Sequence, residues 1–123
     1  MNHYPYPKSY RLLTPTQYKR VFDYSSYKVH QTHIMAFVVQ SDNAEPRLGM
    51  AITKKKLATA VSRNLVKRLI KEQFRFYAPK LKHVDMVFIL KKSTKHLSNA
   101  DISKEINAIL KKISERQNIS DKN

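Results

Sequence analysis

Residues 54–76 read KKKLATAVSRNLVKRLIKEQFRF and hold eight basic residues and one acidic one. At about 100° per residue, Arg63, Asn64, Lys67, Arg68, Lys71 and Arg75 fall in one arc, and Val61, Leu65, Val66, Leu69 and Ile70 fall opposite. That pattern predicts an amphipathic helix over residues 58–77, with Pro79 as its stop signal. Lys54, Lys55 and Lys56 stand just ahead of it, so the approach to the helix and the helix itself form one basic ridge.

The flanks of this segment set the fold. Upstream, Leu48, Met50 and Ile52 alternate with Arg47, Gly49, Ala51 and Thr53, as in a strand buried on one face. Before that, residues 33–40 are apolar, aromatic and β-branched and end in the loop Ser41–Pro46, so a second strand and a hairpin with residues 47–53 are expected. A weak signal at Lys28–Gln31 allows one short strand more. Downstream, DMVFIL at 85–90 suits a strand covered on both faces, making strand, basic helix and strand a βαβ crossover.

Both ends of the chain add a helix. Thr14-Pro15-Thr16-Gln17 carries an N-cap, a proline at the first helical position and a capping-box glutamine, so a helix runs to about Asp23 with Tyr18, Val21 and Phe22 on one face. From Ser98 or Asn99, Ile102, Ile106, Ile109, Leu110 and Ile113 form the stripe of a helix docked on a sheet. The reading is a single α+β domain of order α-β-β-β-α-β-α with a small mixed sheet. It spans residues 14–116, between an extended arm at 1–13, where Pro5 and Pro7 sit among tyrosines, and a flexible tail at 117–123.

Composition narrows what such a domain can do. The 123 residues include 24 Lys or Arg against 9 Asp or Glu, a formal charge of +15 that points to a polyanionic partner. With 41% hydrophobic residues the chain can still fill a core, so the charge is not that of a disordered basic tail. The absence of cysteine removes disulfides, thiolate metal sites and a cysteine nucleophile. One glycine, Gly49, is too few for a phosphate-cradling loop or a dinucleotide fingerprint. The longest apolar run, Ile34–Val39, is far short of the ~20 residues of a membrane span, and the N-terminus lacks a secretory apolar stretch, so a cytoplasmic protein with no membrane partner is expected.

Candidate chemistry is sparse outside the basic ridge. Ser62 and Ser93 have no evident base, and the His30/His33 spacing has no supporting ligands, so neither a catalytic residue nor a protein metal site is assigned. The ridge itself has only Glu72 to pair with, whereas a solvated helix face usually carries acids at i+4. A polyanion would relieve that crowding. Tyr18 and Phe22, with Tyr24, Tyr27 and Phe37 near in sequence, either pack in the core or stack on unpaired bases; stacking beside a cationic groove is how single strands are held without strict sequence reading.

The run Lys54-Lys55 followed by Ala60-Val61-Ser62-Arg63-Asn64-Leu65-Val66-Lys67-Arg68-Leu69-Ile70-Lys71-Glu72-Gln73-Phe74-Arg75 resembles the hallmark AVxRNRxKRxxRExFR of the protein component of bacterial ribonuclease P. RLLTPTQYKRVF is similar to that family's first helix and VDMVFILKKS to its last strand. The resemblance implies a left-handed crossover into the last strand, against the usual hand, and a subunit whose partner RNA is the catalyst. It further implies that Lys54, Lys55, Lys56, Arg63, Asn64, Lys67, Arg68, Lys71 and Arg75 meet RNA. Tyr18 and Phe22 would line a cleft, between the sheet and the basic helix, for the single-stranded 5′ leader of precursor tRNA. Leu65 stands where the family usually has the second arginine of its RNR motif, and Lys71 replaces a common arginine, keeping the charge without the bidentate fork.

The function expected is that of the accessory subunit of a tRNA 5′-processing endoribonuclease. Its partners would be the catalytic RNA and precursor tRNA, with Mg²⁺ held by the RNA and no cofactor on the protein. A structural RNA-binding protein, such as a small ribosomal protein, would share the charge and the fold class. DNA binding is not expected, because no two-helix reader with a tight turn precedes the basic helix.

Overall fold

A computed structural model describes the backbone over residues 8–121 and side chains over residues 8–117. The elements run α1 (Pro15–Tyr24), β1 (Tyr27–His30), β2 (Ile34–Gln40), β3 (Arg47–Ala51), α2 (Ala60–Tyr77), β4 (Val84–Leu90) and α3 (Asn99–Asp121), in the order expected. Each helix starts at a side-chain cap. Thr14 Oγ1 accepts from the Gln17 amide while Gln17 Oε1 accepts from the Thr14 amide, closing the capping box. Thr59 accepts from the Ser62 amide and Ser98 from the Asp101 amide. Each such cap contributes about 1 kcal/mol.

The four strands form one mixed sheet in the order β1-β2-β4-β3. This corrects the expected hairpin between residues 33–40 and 47–53: β4 lies between them, antiparallel to β2 from Ile34↔Leu90 to Gln40↔Val84 and parallel to β3 from Arg47↔Asp85 to Ala51↔Ile89. The reason is burial. Six of the seven residues of β4 are buried, so it takes a central place, and β2 instead makes its hairpin with β1, Tyr27↔Val38 to His30↔Met35. The parallel β3–α2–β4 unit is the crossover that the sequence predicts.

Helices cover both faces unequally. On one, Val66, Leu69, Ile70 and Phe74 of α2 and Ile102, Ile106, Ile109, Leu110 and Ile113 of α3 pack over Ala36, Val38, Leu48, Met86 and Phe88, all buried. Each large aliphatic or aromatic side chain removed from water here contributes about 1.5–3 kcal/mol. On the other face, among the described residues, α1 and Leu12 just before it pack through a smaller cluster of Leu12, Val21, Val39 and Val87 bordered by Tyr18, Phe37, Ala51 and Ile89. One helix does not cover four strands, so among the described residues part of this face stays open, with Phe37, Ala51 and Ile89 only partly buried.

The exposed edge of β3 is closed by the segment before α1. Lys8–Tyr10 make one 3-10 turn, Arg11 bridges to Leu48, and the Leu12 amide donates to the Leu48 carbonyl at 3.0 Å. The rest of the expected arm, residues 1–7, lies outside the described residues, as do residues 122–123 of the expected tail. Residues 117–121, also read as tail, continue α3, and the Gln117 side chain bonds the Lys82 backbone at both its amide and its carbonyl.

Candidate nucleic-acid interface

Basic residues gather at the end of the sheet where β3 and β4 finish. The loop Thr53–Leu57 leaves β3, turned by the Lys56 and Leu57 amides donating to the Thr53 carbonyl. Lys54 and Lys55 project from it, exposed, while Lys56 is half-buried with its Nζ donating to the Lys91 carbonyl at 3.0 Å. That bond ties the loop after β3 to the loop after β4, which brings Lys91 and Lys92 beside it. The sequence reading missed Lys91 and Lys92; the signal was available, since a lysine pair directly follows a strand parallel to the one that ends before Lys54.

Arg63 has a different task from its neighbours on α2. Its Nη1 donates to the carbonyls of Leu57 at 2.9 Å and Ala58 at 3.0 Å, so its guanidinium holds the basic loop against the first turn of the helix. Asn64 and Arg68 are exposed, and Lys67, Lys71 and Arg75 are half-buried. Arg68 Nε lies 3.8 Å from Glu72 Oε1, an exposed i,i+4 pair of small energetic weight. Lys54, Lys55, Lys67, Lys71, Lys91 and Lys92 have no carboxylate partner among the described residues.

The helix is rotated from the sequence wheel. Val61, placed there on the apolar side, is 80% exposed, and the buried side is made by Val66, Leu69, Ile70 and Phe74 with Leu65 at its margin. The first turn of α2 carries none of the buried residues of the helix; Leu57, buried in the preceding loop, takes the core position instead. Leu65, the departure from the RNR pattern, packs against the core.

Tyr18 and Phe22 lie on the other face of the sheet. The space between α2 and the sheet is filled with core side chains, so the aromatic pair does not line a cleft there; α1 places it over Gly49 of β3 and Phe37 of β2. The Tyr18 hydroxyl oxygen accepts from the Met50 amide at 3.2 Å, satisfying a donor on the edge strand. Phe22 meets Phe37 edge to face at 4.9 Å between centroids and is 37% exposed, and Lys28 Nζ stands 5.1 Å above the Phe37 ring. Phe37, Gly49 and Val87 share one row across the sheet, and Met35, Ala51 and Ile89 form the next row toward the basic loops. The open part of this face is thus an aromatic and aliphatic floor with α1 on one side and lysines on another.

Two carboxylates, Asp85 and Glu105, are committed within the protein. Asp85, 1% exposed, accepts from Arg47 Nε at 2.9 Å and Nη2 at 2.7 Å, with Arg20 Nη1 at 3.6 Å. Those hydrogen bonds raise the pKa of the Arg47 guanidinium above its ordinary value, against the opposing effect of burial. Glu105 accepts from the His33 and Ile34 amides at 2.9 and 3.2 Å and meets His33 Nδ1 at 2.7 Å. Among the described residues, no three His, Asp or Glu side chains converge as a metal cage, and His30 and His33 do not act together: His30 is exposed on β1 while His33 is held by Glu105.

Comparison with known proteins returns one consistent likeness. A family model described as Ribonuclease P matches residues 6–114. The ribonuclease P protein component of a Psychrobacter species is 56% identical over 95% of this chain and 90% of its own length. That of Vibrio parahaemolyticus is 38% identical over 93% and 96%. Among solved structures, a mutant of the Staphylococcus aureus RNase P protein superposes with a TM-score of 0.77 at 25% identity, covering 85% of this chain and 87% of the other.

Proposed function

The chain belongs to the ribonuclease P protein family, and from that premise we propose how its two surfaces divide the work of the holoenzyme. It is the accessory protein subunit of the ribonucleoprotein enzyme that processes the 5′ end of tRNA, and its partner is the ribonuclease P RNA. In our reading the ridge of Lys54, Lys55, Asn64, Lys67, Arg68, Lys71 and Arg75, joined by the exposed Lys92, holds the catalytic RNA. The open sheet face beside α1 holds the single-stranded 5′ leader of precursor tRNA. Lys56 and Arg63 serve mainly by fixing the loop that carries the ridge.

The observation that carries this reading is the partly open floor of Phe37, Ala51 and Ile89, flanked by Phe22 and Tyr18 and reached from the lysine-bearing loops. A floor of this kind offers faces for bases and cations for the intervening phosphates, without the hydrogen-bond edges needed for strict sequence reading. No helix of the described residues is long and apolar enough to cross a membrane, and the compartment we assign is the cytoplasm.

The protein's part in the reaction is electrostatic and positional. Bringing a tRNA precursor to a catalytic RNA opposes two polyanions, and a subunit of charge +15 lowers that repulsion by displacing counterions from phosphates. Leader binding adds contact outside the mature tRNA body, which favours precursor over product. Asp85 is engaged by arginines and Glu105 by His33 and two amides, and no three His, Asp or Glu side chains converge, so the described residues do not fit a protein metal site. That supports leaving Mg²⁺, and the attacking water it activates, with the RNA.

The direct test is cleavage of 5′-labelled precursor tRNA by a bacterial ribonuclease P RNA at low Mg²⁺, with and without this protein, using leaders of graded length. Stimulation that grows with leader length and then saturates is expected. Stimulation independent of the leader would confine the protein's role to the catalytic RNA.

A further inference from the structure

At the end of the sheet remote from the basic loops, on the side covered by α3, lies a cleft of about 260 Å³. The start of β1, the end of β2, the start of β4 and the last turns of α3 bound it. Its apolar wall is Tyr27, Val38 and Val84, and its polar rim carries Lys82, His83 and Arg116. The function proposed above uses none of these residues.

Three features of the cleft converge. The Arg116 guanidinium carbon stands 3.9 Å over the Tyr27 ring, and Arg116 is exposed. A guanidinium on an aromatic ring is a stacking platform to which the plane of a base adds. Next, His83 has φ of 53° and is the only non-glycine residue with positive φ among those described. Such a conformation costs on the order of 1–3 kcal/mol and persists where the surroundings hold it. What holds it is a contact of 2.7 Å between His83 Nδ1 and the Asn43 carbonyl oxygen. A carbonyl only accepts, so Nδ1 carries the hydrogen and Nε2 is left to accept a hydrogen bond from a ligand. Finally, Lys82 is exposed, and its backbone is clamped by Gln117, so its side chain projects from a fixed point.

We propose that this cleft binds one unpaired ribonucleotide, its base on the Arg116–Tyr27 stack, its phosphate at Lys82 and a ribose hydroxyl donating to His83 Nε2. The volume suits a single nucleotide and excludes a duplex, and the pairing of a flat cationic platform with a further cation, Lys82, selects a base that carries a phosphate over either part alone. Two sources share that chemistry: a nucleotide splayed out of the partner RNA, and a free mononucleotide. The cleft opens on the face opposite to Phe22, so either would be held at the same time as a leader on the α1 side. Burial pushes the Tyr27 phenol above its ordinary pKa, against the pull of Arg116, so it remains a donor at neutral pH.

The test is a titration of the full chain, isotopically labelled, with adenosine 5′-monophosphate, adenosine and inorganic phosphate, followed by NMR. Saturable shifts at Ser26, Tyr27, Lys82–Val84 and Arg116 are expected with the nucleotide, with about tenfold weaker responses to adenosine or phosphate alone, equivalent to about 1.4 kcal/mol. Arg116→Gln and Lys82→Gln, both at exposed positions and separate from the α2 ridge, should each weaken that response and leave shifts at Lys54 and Lys55 unchanged. Equal responses to phosphate and nucleotide, or shifts confined to the α2 ridge, would overturn the proposal. Hydrogen exchange in the complex with ribonuclease P RNA then separates the sources. Protection of residues 82–84 assigns the site to the RNA, and retained nucleotide binding without protection assigns it to the free ligand.

Discussion

The ring of Tyr18 occupies the space that a side chain at Gly49 would need: a Cβ there would lie 2.7 Å from Tyr18 Cε2 and 2.9 Å from Leu12 Cδ1. Glycine is required at this position for room, since its φ is not positive. Gly49→Ala therefore drives α1 away from β3 and breaks the bond from the Met50 amide to the Tyr18 hydroxyl. Overpacking of this kind costs about 1–3 kcal/mol. Denaturant unfolding should show a lower midpoint at an unchanged slope, and the preference for leader-bearing precursor should fall with it. An unchanged midpoint would mean that α1 adjusts freely and does not define the cleft.

Phe22 and Tyr18 are expected to separate on mutation, although both line the same floor. Phe22 is the more exposed and, among the described residues, Phe37 is the aromatic ring it meets, whereas Tyr18 also satisfies an edge-strand amide. Phe22→Ala should lower the affinity for leader-bearing precursor by about 1–3 kcal/mol for each base that no longer stacks, with little change in binding to the catalytic RNA or in thermal midpoint. Tyr18→Phe should cost stability of about 1 kcal/mol through the unmade hydrogen bond and keep the leader preference. Comparing dissociation constants for precursor and mature tRNA across the two variants checks this; equal losses for both substrates with Phe22→Ala would assign that ring to the core.

Element type was legible in the sequence because local signals agreed: the Thr14–Gln17 capping box, the isoleucine stripe of α3 and the apolar run of β4 each carry one reading. Strand order was not. Residues 33–40 and 47–53 look like hairpin partners along the chain; the two-sided burial of 85–90 was legible, but that it is met by placing β4 between them depends on tertiary pairing. The basic ridge was legible as a patch of charge, but the wheel could not tell that Arg63 turns back to the Leu57 and Ala58 carbonyls, because that depends on the path of the loop. Lys91 and Lys92 were overlooked because their neighbours in space, Lys54–Lys56, are distant in sequence. The aromatic pair was found, and its place on the face opposite to α2 was not, since no periodicity in α1 says which face of a sheet it will cover.

Glu105 fastens α3 to the start of β2 at the lysine-bearing end of the sheet. Its carboxylate accepts from two backbone amides and faces His33 Nδ1. Glu105→Ala leaves those part-buried amides unpaired, and the loss should be about 1–3 kcal/mol. Both amides donate to the same oxygen, Oε1, so Glu105→Gln retains an acceptor for both, gives up only the oxygen facing His33, and should lose less. Equilibrium unfolding of the two variants reads the difference directly. Equal destabilisation by both would mean that the charge facing His33, and not the amide bonds, carries the contribution.

Tyr27 supplies a dependence on pH whose sign is fixed by its raised pKa. Burial favours the neutral phenol in the folded protein, while in the unfolded chain the group ionises near its ordinary value of 10.0. Its contribution to stability is then complete below that value and is lost as pH rises through the higher folded pKa. Phenolate absorbance should show a late-titrating tyrosine that Tyr27→Phe removes, and the variant's stability should fall less steeply above that pH than the parent's. Arg116→Gln removes the positive charge over the ring and should delay ionisation further. If the late phase survives Tyr27→Phe, another tyrosine is responsible.

Salt dependence distinguishes residues that touch phosphate from residues that shape the ridge. Lys67 and Arg68 lie on α2 with no partner stronger than the long contact to Glu72, so their charges are available to RNA. Replacing either by alanine should lower affinity for the catalytic RNA and reduce the slope of log K against log salt by about 1 for each phosphate no longer neutralised. Arg63 differs, because its guanidinium holds two carbonyls of the loop that carries Lys54–Lys56. Arg63→Ala should lower the thermal midpoint and, by releasing that loop, reduce the slope by more than the removal of a single charge accounts for. Arg63→Lys keeps the charge but cannot fork between the Leu57 and Ala58 carbonyls in the same way, so it should resemble the alanine variant in stability. Full rescue of both stability and slope by lysine would show that Arg63 acts on RNA as a plain charge.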